Sequence, residues 1–236
     1  MHLSRPRVPL LGLAAFAALV LAAHPASAQT INTIPDQNNT VGIFGVPNTA
    51  TYGQTIVSPT TGTLLDFTFN VDNYSTSTIM ADAEVYAWNG TGATGPALFQ
   101  SSPFSIVPSG SSYTLYTATP NVSVTAGSQY VLLFTTSGLQ ATQLPSSAYA
   151  NFGLVAPNTY NDGQFVYLNN RNDRTALNTS LYSTFNPTYG LAFKADFGPA
   201  PATVPEPSSL ATLGFGSLGL VGMVLTAKRR KKPNVA

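Results

Sequence analysis

From Leu65 to Val71 the chain sets an apolar residue at every second position: Leu65, Phe67, Phe69 and Val71, with Asp66, Thr68 and Asn70 between them. The pattern returns twice. Ala81, Ala83, Val85 and Ala87 alternate with Asp82, Glu84, Tyr86 and Trp88, and Tyr189, Leu191, Phe193, Ala195 and Phe197 enclose Lys194 and Asp196. Successive side chains of a strand point to opposite faces, so a period of two predicts a strand with one buried face and rules out an amphipathic helix. Shorter runs at Tyr52–Val57, Ala97–Phe99, Tyr113–Ala118, Gln129–Thr136 and Gln164–Leu168 are further strand candidates. Tyr130–Phe134 is apolar on both faces, which predicts a central strand.

Turn-forming clusters separate these runs: Pro59-Thr60-Thr61-Gly62, Asn89-Gly90-Thr91-Gly92, Pro108-Ser109-Gly110 and Asn161-Asp162-Gly163. Eight to ten short strands punctuated this way predict an all-β fold, a two-sheet antiparallel sandwich of jelly-roll type. Charged residues make up 8% of the chain and aromatics 11%. The β-branched and aromatic content can bury enough apolar surface to offset the ordering entropy, so a folded domain is expected rather than a disordered chain.

The two ends carry a different kind of information. Arg5 and Arg7 precede an apolar run of 14 residues, Leu10 to Ala23, followed by Ala26-Ser27-Ala28. Positive start, short apolar core and small-x-small site predict a signal peptide at 1–28, cut by signal peptidase between Ala28 and Gln29, with Ala26, Ala28 and Gln29 at the cleavage site. Near the other end, Val204-Pro205-Glu206-Pro207 precedes the uncharged segment Ser208–Ala227, and the basic cluster Lys228, Arg229, Arg230, Lys231 and Lys232 follows it. Twenty such residues at 1.5 Å each span a hydrocarbon core, and the basic cluster is expected to stay cytoplasmic. Between body and box, 198–203 is a Pro/Ala linker that favours extended conformations.

This tail resembles the PEP-CTERM sorting signal of Gram-negative bacteria. The resemblance implies Val204, Pro205, Glu206 and Pro207 as the sorting motif, a transmembrane helix at 208–227, a basic tail at 228–236, and an exosortase-type enzyme as partner. Several stretches of the body, 29–197, are also similar to a module common among PEP-CTERM proteins: Tyr52-Gly53-Gln54-Thr55, Val85-Tyr86-Ala87-Trp88 with Gly95-Pro96-Ala97-Leu98, Ala126–Val131, and Asp162–Asn170. The module looks similar to carbohydrate-binding jelly rolls, and no activity comes with the resemblance.

Of ten basic residues, two lie in the signal peptide and five in the tail, leaving Arg171, Arg174 and Lys194 in the body against eight acids. A body net charge of about −5 argues against a nucleic-acid partner. Cysteine is absent, and both histidines, His2 and His24, precede the cleavage site. Thiol nucleophiles, thiolate metal sites and histidine bases are thereby excluded from the mature body.

No catalytic constellation emerges from the remaining residues, and no cofactor is implied. Asp82 and Glu84 share one strand face about 7 Å apart by the strand repeat, a spacing a hydrolase could use, but opposite Ala81, Ala83 and Val85 they are expected to be solvated. Tyr86 and Trp88 lie on the same face, and an aromatic beside carboxylates can hold a sugar ring. Asp82, Glu84, Tyr86 and Trp88 are therefore the candidate ligand-binding residues, with surface polysaccharide as the candidate partner. Asp72 with Asn73, and Asn161 with Asp162, are calcium candidates, although local turn formation explains both pairs. Long segments at 138–160 and 169–187 are expected to be loops, and Arg171 and Arg174 are expected to form a structural ion pair around Asp173. The resulting expectation is a non-enzymatic, exported surface or matrix protein with a structural or adhesive role. A carbohydrate-binding module is the alternative and a hydrolase the third reading.

Overall fold

The computed structural model describes residues 28–45, 49–139 and 149–199. Among them fourteen strands are present: β1 (Gln29–Asn32), β2 (Asn39–Phe44), β3 (Thr51–Val57), β4 (Gly62–Asp72), β5 (Ile79–Trp88), β6 (Ala93–Gln100), β7 (Phe104–Ile106), β8 (Thr114–Ala118), β9 (Val122–Val124), β10 (Gln129–Thr135), β11 (Ala150–Val155), β12 (Phe165–Leu168), β13 (Gly190–Leu191) and β14 (Phe193–Pro199). They form two sheets. The first runs β1-β14-β4-β11-β13, with β2 paired to β11 and both β8 and β9 paired to β4; the second runs β12-β3-β10-β5-β6, with β7 on β5. Every pairing between these strands is antiparallel. The expected all-β, two-sheet sandwich is observed.

The inward faces meet in an aromatic core. Phe67, Phe69, Phe193 and Phe197 come from the first sheet, and Tyr52, Phe134 and Phe165 from the second. Rings pack edge to face, with Phe69 and Phe134 centroids 4.9 Å apart at 85° and Tyr52 and Phe165 5.0 Å apart at 82°. Such pairs contribute about 0.5–1.5 kcal/mol each beyond the area they bury. β10 is central, between β3 and β5, as its two apolar faces require.

Four expectations need correction. Leu65 is exposed and Leu64 takes its core position. The register slips between Asp196 and Phe197, so that Asp196 faces Asp66 while Phe197 faces Leu64, and Leu65 is the extra residue of a β-bulge. The segment 138–160, read as a loop, contains β11; its Gly, Ala and Asn positions dilute the alternation, and β2 and β4 supply the pairing. The 189–197 run divides at Ala192 into β13 and β14. β14 also extends through Gly198 and Pro199, opposite Thr63 and Gly62, so the first two residues assigned to the linker belong to the sheet.

Candidate functional site

On β5 the alternation sends Ala81, Ala83 and Val85 into the sandwich core and Asp82, Glu84, Tyr86 and Trp88 to the other face of the second sheet. That other face was expected to be solvated; it is covered. Asp82 and Glu84 are fully buried, Tyr86 is 5% exposed and Trp88 9%. The cover is the chain between β12 and β13, which carries a 3-10 turn at Arg174–Asn178. Leu177 and Tyr182 from this strap pack with Tyr86, Trp88, Val131, Leu133, Val166 and Leu168 into a second apolar cluster. Val131 and Leu133 were the legible signal: a strand apolar on both faces needs material on both sides.

Arg174 reaches down from the strap between the two acids. Its Nη2 donates to Asp82 Oδ2 at 2.6 Å and to Glu84 Oε1, and its Nη1 donates to Ser137 O at 3.1 Å. The Tyr86 hydroxyl donates to Glu84 Oε2, and Gln100 Nε2 donates weakly to Asp82 Oδ2 at 3.4 Å. Asp82 Oδ1, also buried, makes no hydrogen bond. Burial raises the Asp82 carboxyl above its ordinary range, with Arg174 opposing. Burial raises Glu84 too, with the Tyr86 hydrogen bond and Arg174 opposing. For the guanidinium, burial works against the charge, yet the Asp82 hydrogen bond and both carboxylates outweigh it and its pKa rises. Chemically the arrangement is a latch: the carboxylates are consumed by Arg174 and shielded by the strap.

The ion pair expected around Asp173 therefore forms elsewhere. Asp173 caps the 3-10 turn, accepting from Thr175 N at 2.9 Å and Thr175 Oγ1 at 2.6 Å, and these bonds hold its carboxyl below the ordinary range. Arg171 is exposed with φ 52°.

Trp88 lies at the end of β5, where its ring meets Tyr182 edge to face at 5.3 Å. It also lines a pocket of about 360 Å³ with Thr55, Gln129, Asp162, Gln164 and Pro187. The strand register explains the convergence: Gln129 pairs with Val57 at the end of β3, and the Asn161–Gly163 turn enters β12 beside the same strand. Gly163 is required there, because a Cβ would stand 1.8 Å from Thr55 O. Asn158 Nδ2 fastens the turn, donating to Tyr160 O at 2.6 Å and Gly163 O at 2.8 Å. So one tryptophan and one calcium-candidate pair, far apart in sequence, share a cavity. The other candidate pair behaves as a turn element. Asn73 is buried and donates to Ser77 O and Ile106 O, while Asp72 accepts from Ser109. Among the described residues no group of three or more acids is placed to surround a metal ion.

The cleavage residue Ala26, the sorting residues Val204, Pro205, Glu206 and Pro207, the 208–227 segment and Lys228–Lys232 lie outside the described residues. Gln29 opens β1, directly opposite Phe197. No helix among the described residues is long and apolar enough to cross a membrane.

No curated protein sequence matches the chain. A solved structure similar to it is that of CsCBM6-3 from Clostridium stercorarium in complex with cellobiose, at 17% identity and a TM-score of 0.29, covering 59% of this chain and 92% of that one. Similarity at this level assigns neither ligand nor site. The family model described as the PEP-CTERM protein-sorting motif matches residues 203–231, over the Val-Pro-Glu-Pro box, the uncharged segment and the start of the basic cluster. This chain thus bears a PEP-CTERM sorting motif, which marks it as an exported protein.

Proposed function

We propose that the protein is a non-enzymatic component of the cell surface or extracellular matrix, with a structural or adhesive role carried by a jelly-roll-type sandwich. The observation that carries this reading is the sorting motif at 203–231 attached to a β-sandwich. The signal peptide starts translocation, the 208–227 helix holds the precursor in the inner membrane, and an exosortase-type enzyme releases the body near the Pro-Glu-Pro box. The buried Asp82–Glu84–Arg174 latch supports a structural role for the acid pair, since no substrate reaches carboxylates that a strap covers.

Fractionation of the native host with intact mass spectrometry tests the reading. A species that starts at Gln29, ends near Pro207 and sits in the outer fraction or the medium is the expected result. Retention of Ser208–Ala236 in the inner membrane overturns it.

A second reading, carbohydrate binding at the Trp88 pocket, is favoured by a lining that brings Gln129, Asp162 and Gln164 together with Trp88. Glycan binding abolished by Trp88→Ala is its test.

A further inference from the structure

The outer face of the first sheet carries a wide, shallow depression lined by Gln37, Asn39, Thr40, Asp72, Tyr113 and Asn151. Its origin lies in the strand register. β4 sends Phe67, Phe69 and Val71 inward, so Asp72 points outward, and Asn151 of β11 sits directly opposite it. Thr40 of β2 faces Gly153 of the same strand. Two glycines then clear space on this face. A Cβ on Gly42 would stand 2.7 Å from Asn151 Oδ1, and one on Gly153 would stand 2.2 Å from Gln37 Oε1. Any larger residue at either place would displace an amide that now lies across the sheet.

The lining groups are held in position by their own hydrogen bonds. Asn70 Nδ2 donates to Gln37 Oε1 at 2.6 Å, Ser109 Oγ donates to Asp72 Oδ1 at 2.7 Å, and Thr40 N donates to Asn39 Oδ1 at 2.8 Å. The Tyr113 and Thr40 hydroxyls are bonded to each other. Such anchoring lowers the ordering cost of binding. Tyr74 and Tyr113 remain 40% and 36% exposed. Tyr74 packs edge to face against Tyr149 at 5.0 Å.

The chemistry selects a ligand class. The cavity has one carboxylate and no lysine or arginine in its lining, so an anionic ligand finds no counter-charge. Calcium takes six to eight oxygens, usually with several carboxylates, and here one is present. Amides, hydroxyls and a single carboxylate match donors and acceptors on vicinal hydroxyl groups, and a tyrosine face suits the C–H side of a pyranose ring. We propose that this bowl binds a neutral saccharide, with Asp72, Asn39 and Asn151 taking ring hydroxyls and Tyr113 supplying the apolar contact. The proposal rests on the adhesive reading above and names its ligand class and site, separate from the Trp88 pocket.

The test uses the full-length chain in a zwitterionic detergent that carries no sugar, screened on an array of neutral and acidic polysaccharides, with and without calcium. The expected result is binding to at least one neutral glycan. Tyr113→Ala and Asn151→Ala are expected to weaken it by about tenfold or more, the scale set by lost stacking and hydrogen bonds. Asp72→Asn, nearly isosteric, gives the same loss without a change of fold, and thermal unfolding of each variant is followed in parallel. Trp88→Ala leaves this binding in place. Absence of any neutral-glycan signal overturns the proposal. So does binding that survives Asn151→Ala and Asp72→Asn but is lost in Trp88→Ala, or binding of acidic glycans or calcium alone. Surface location, measured separately by fractionation, fails or stands independently of these outcomes.

Discussion

Replacing Arg174 with methionine removes the cation that faces Asp82 and Glu84 while keeping an unbranched stem over the sheet. Deleting one partner of a buried ion pair costs about 3–5 kcal/mol, because the other charge is left desolvated. Here the Arg174 side chain keeps 30% of its exposure, and solvent screens part of the interaction. The expected penalty at pH 7.5 is therefore about 2–3 kcal/mol, or a fall of roughly 4–12 °C in Tm for a domain of this size. The sign of its pH dependence follows from the two carboxyls. Both have folded-state pKa values raised above the ordinary range by burial. A raised carboxyl contributes stability that is fully present below the unfolded pKa, near 4, and is lost as pH climbs through the folded value. Without Arg174 both are raised further, so the variant is close to wild type at pH about 4 and falls behind as pH rises. Urea unfolding followed by fluorescence of Trp88, the one tryptophan in the chain, is a suitable assay because the indole packs against the strap at Tyr182. The triple variant Asp82→Asn, Glu84→Gln, Arg174→Met should recover more than half of the loss. A penalty as large at pH 4 as at pH 7.5, or one below about 0.5 kcal/mol at both, the range of ordinary surface changes, would refute the reasoning.

Phe134→Ala, which removes a ring packed against Phe67, Phe69, Phe104 and Phe152, is expected to cost about 3–5 kcal/mol by denaturant unfolding. Gly163→Ala forces Thr55 O and the Asn161–Gly163 turn apart, with an expected loss of about 1–3 kcal/mol and, for any ligand of the Trp88 pocket, weakened affinity measured by titration calorimetry. Replacing Pro205, Glu206 and Pro207 together with alanine should leave the tail on the protein, read as an increase in intact mass and retention in the inner-membrane fraction.

The amino-acid pattern located β4 and β5 from period-two runs and β10 from an apolar run with no polar face. The pattern misled where a second element altered the meaning of a face. Asp82 and Glu84 look solvated from β5 alone, and only the strap, arriving some ninety residues later in sequence, buries them. Leu65 looks internal until the bulge against Asp196 and Phe197 shifts it outward. β11 is short, with Asn151 and Gly153 on its outward side, and the β2 and β4 strands that pair with it lie far away in sequence. Trp88 was identified as a candidate, but its companions Gln129, Asp162 and Gln164 are set by the β3, β10 and β12 registers, which local periodicity does not encode.

The direction of β4 gives the molecule a polarity. Gly62 lies opposite Pro199, where the described chain ends on its way to the sorting box, and Asp72 lies at the other end of the strand. Eleven residues at about 3.3 Å each separate those ends by roughly 30 Å. β3 finishes at Val57, one short turn before Gly62, so the Trp88 pocket sits at the near end with the tether, and Gln29 joins it there opposite Phe197. The Trp88 pocket therefore stands at the end of the sandwich from which the chain leaves toward the sorting motif, and the Asp72 bowl stands at the opposite end.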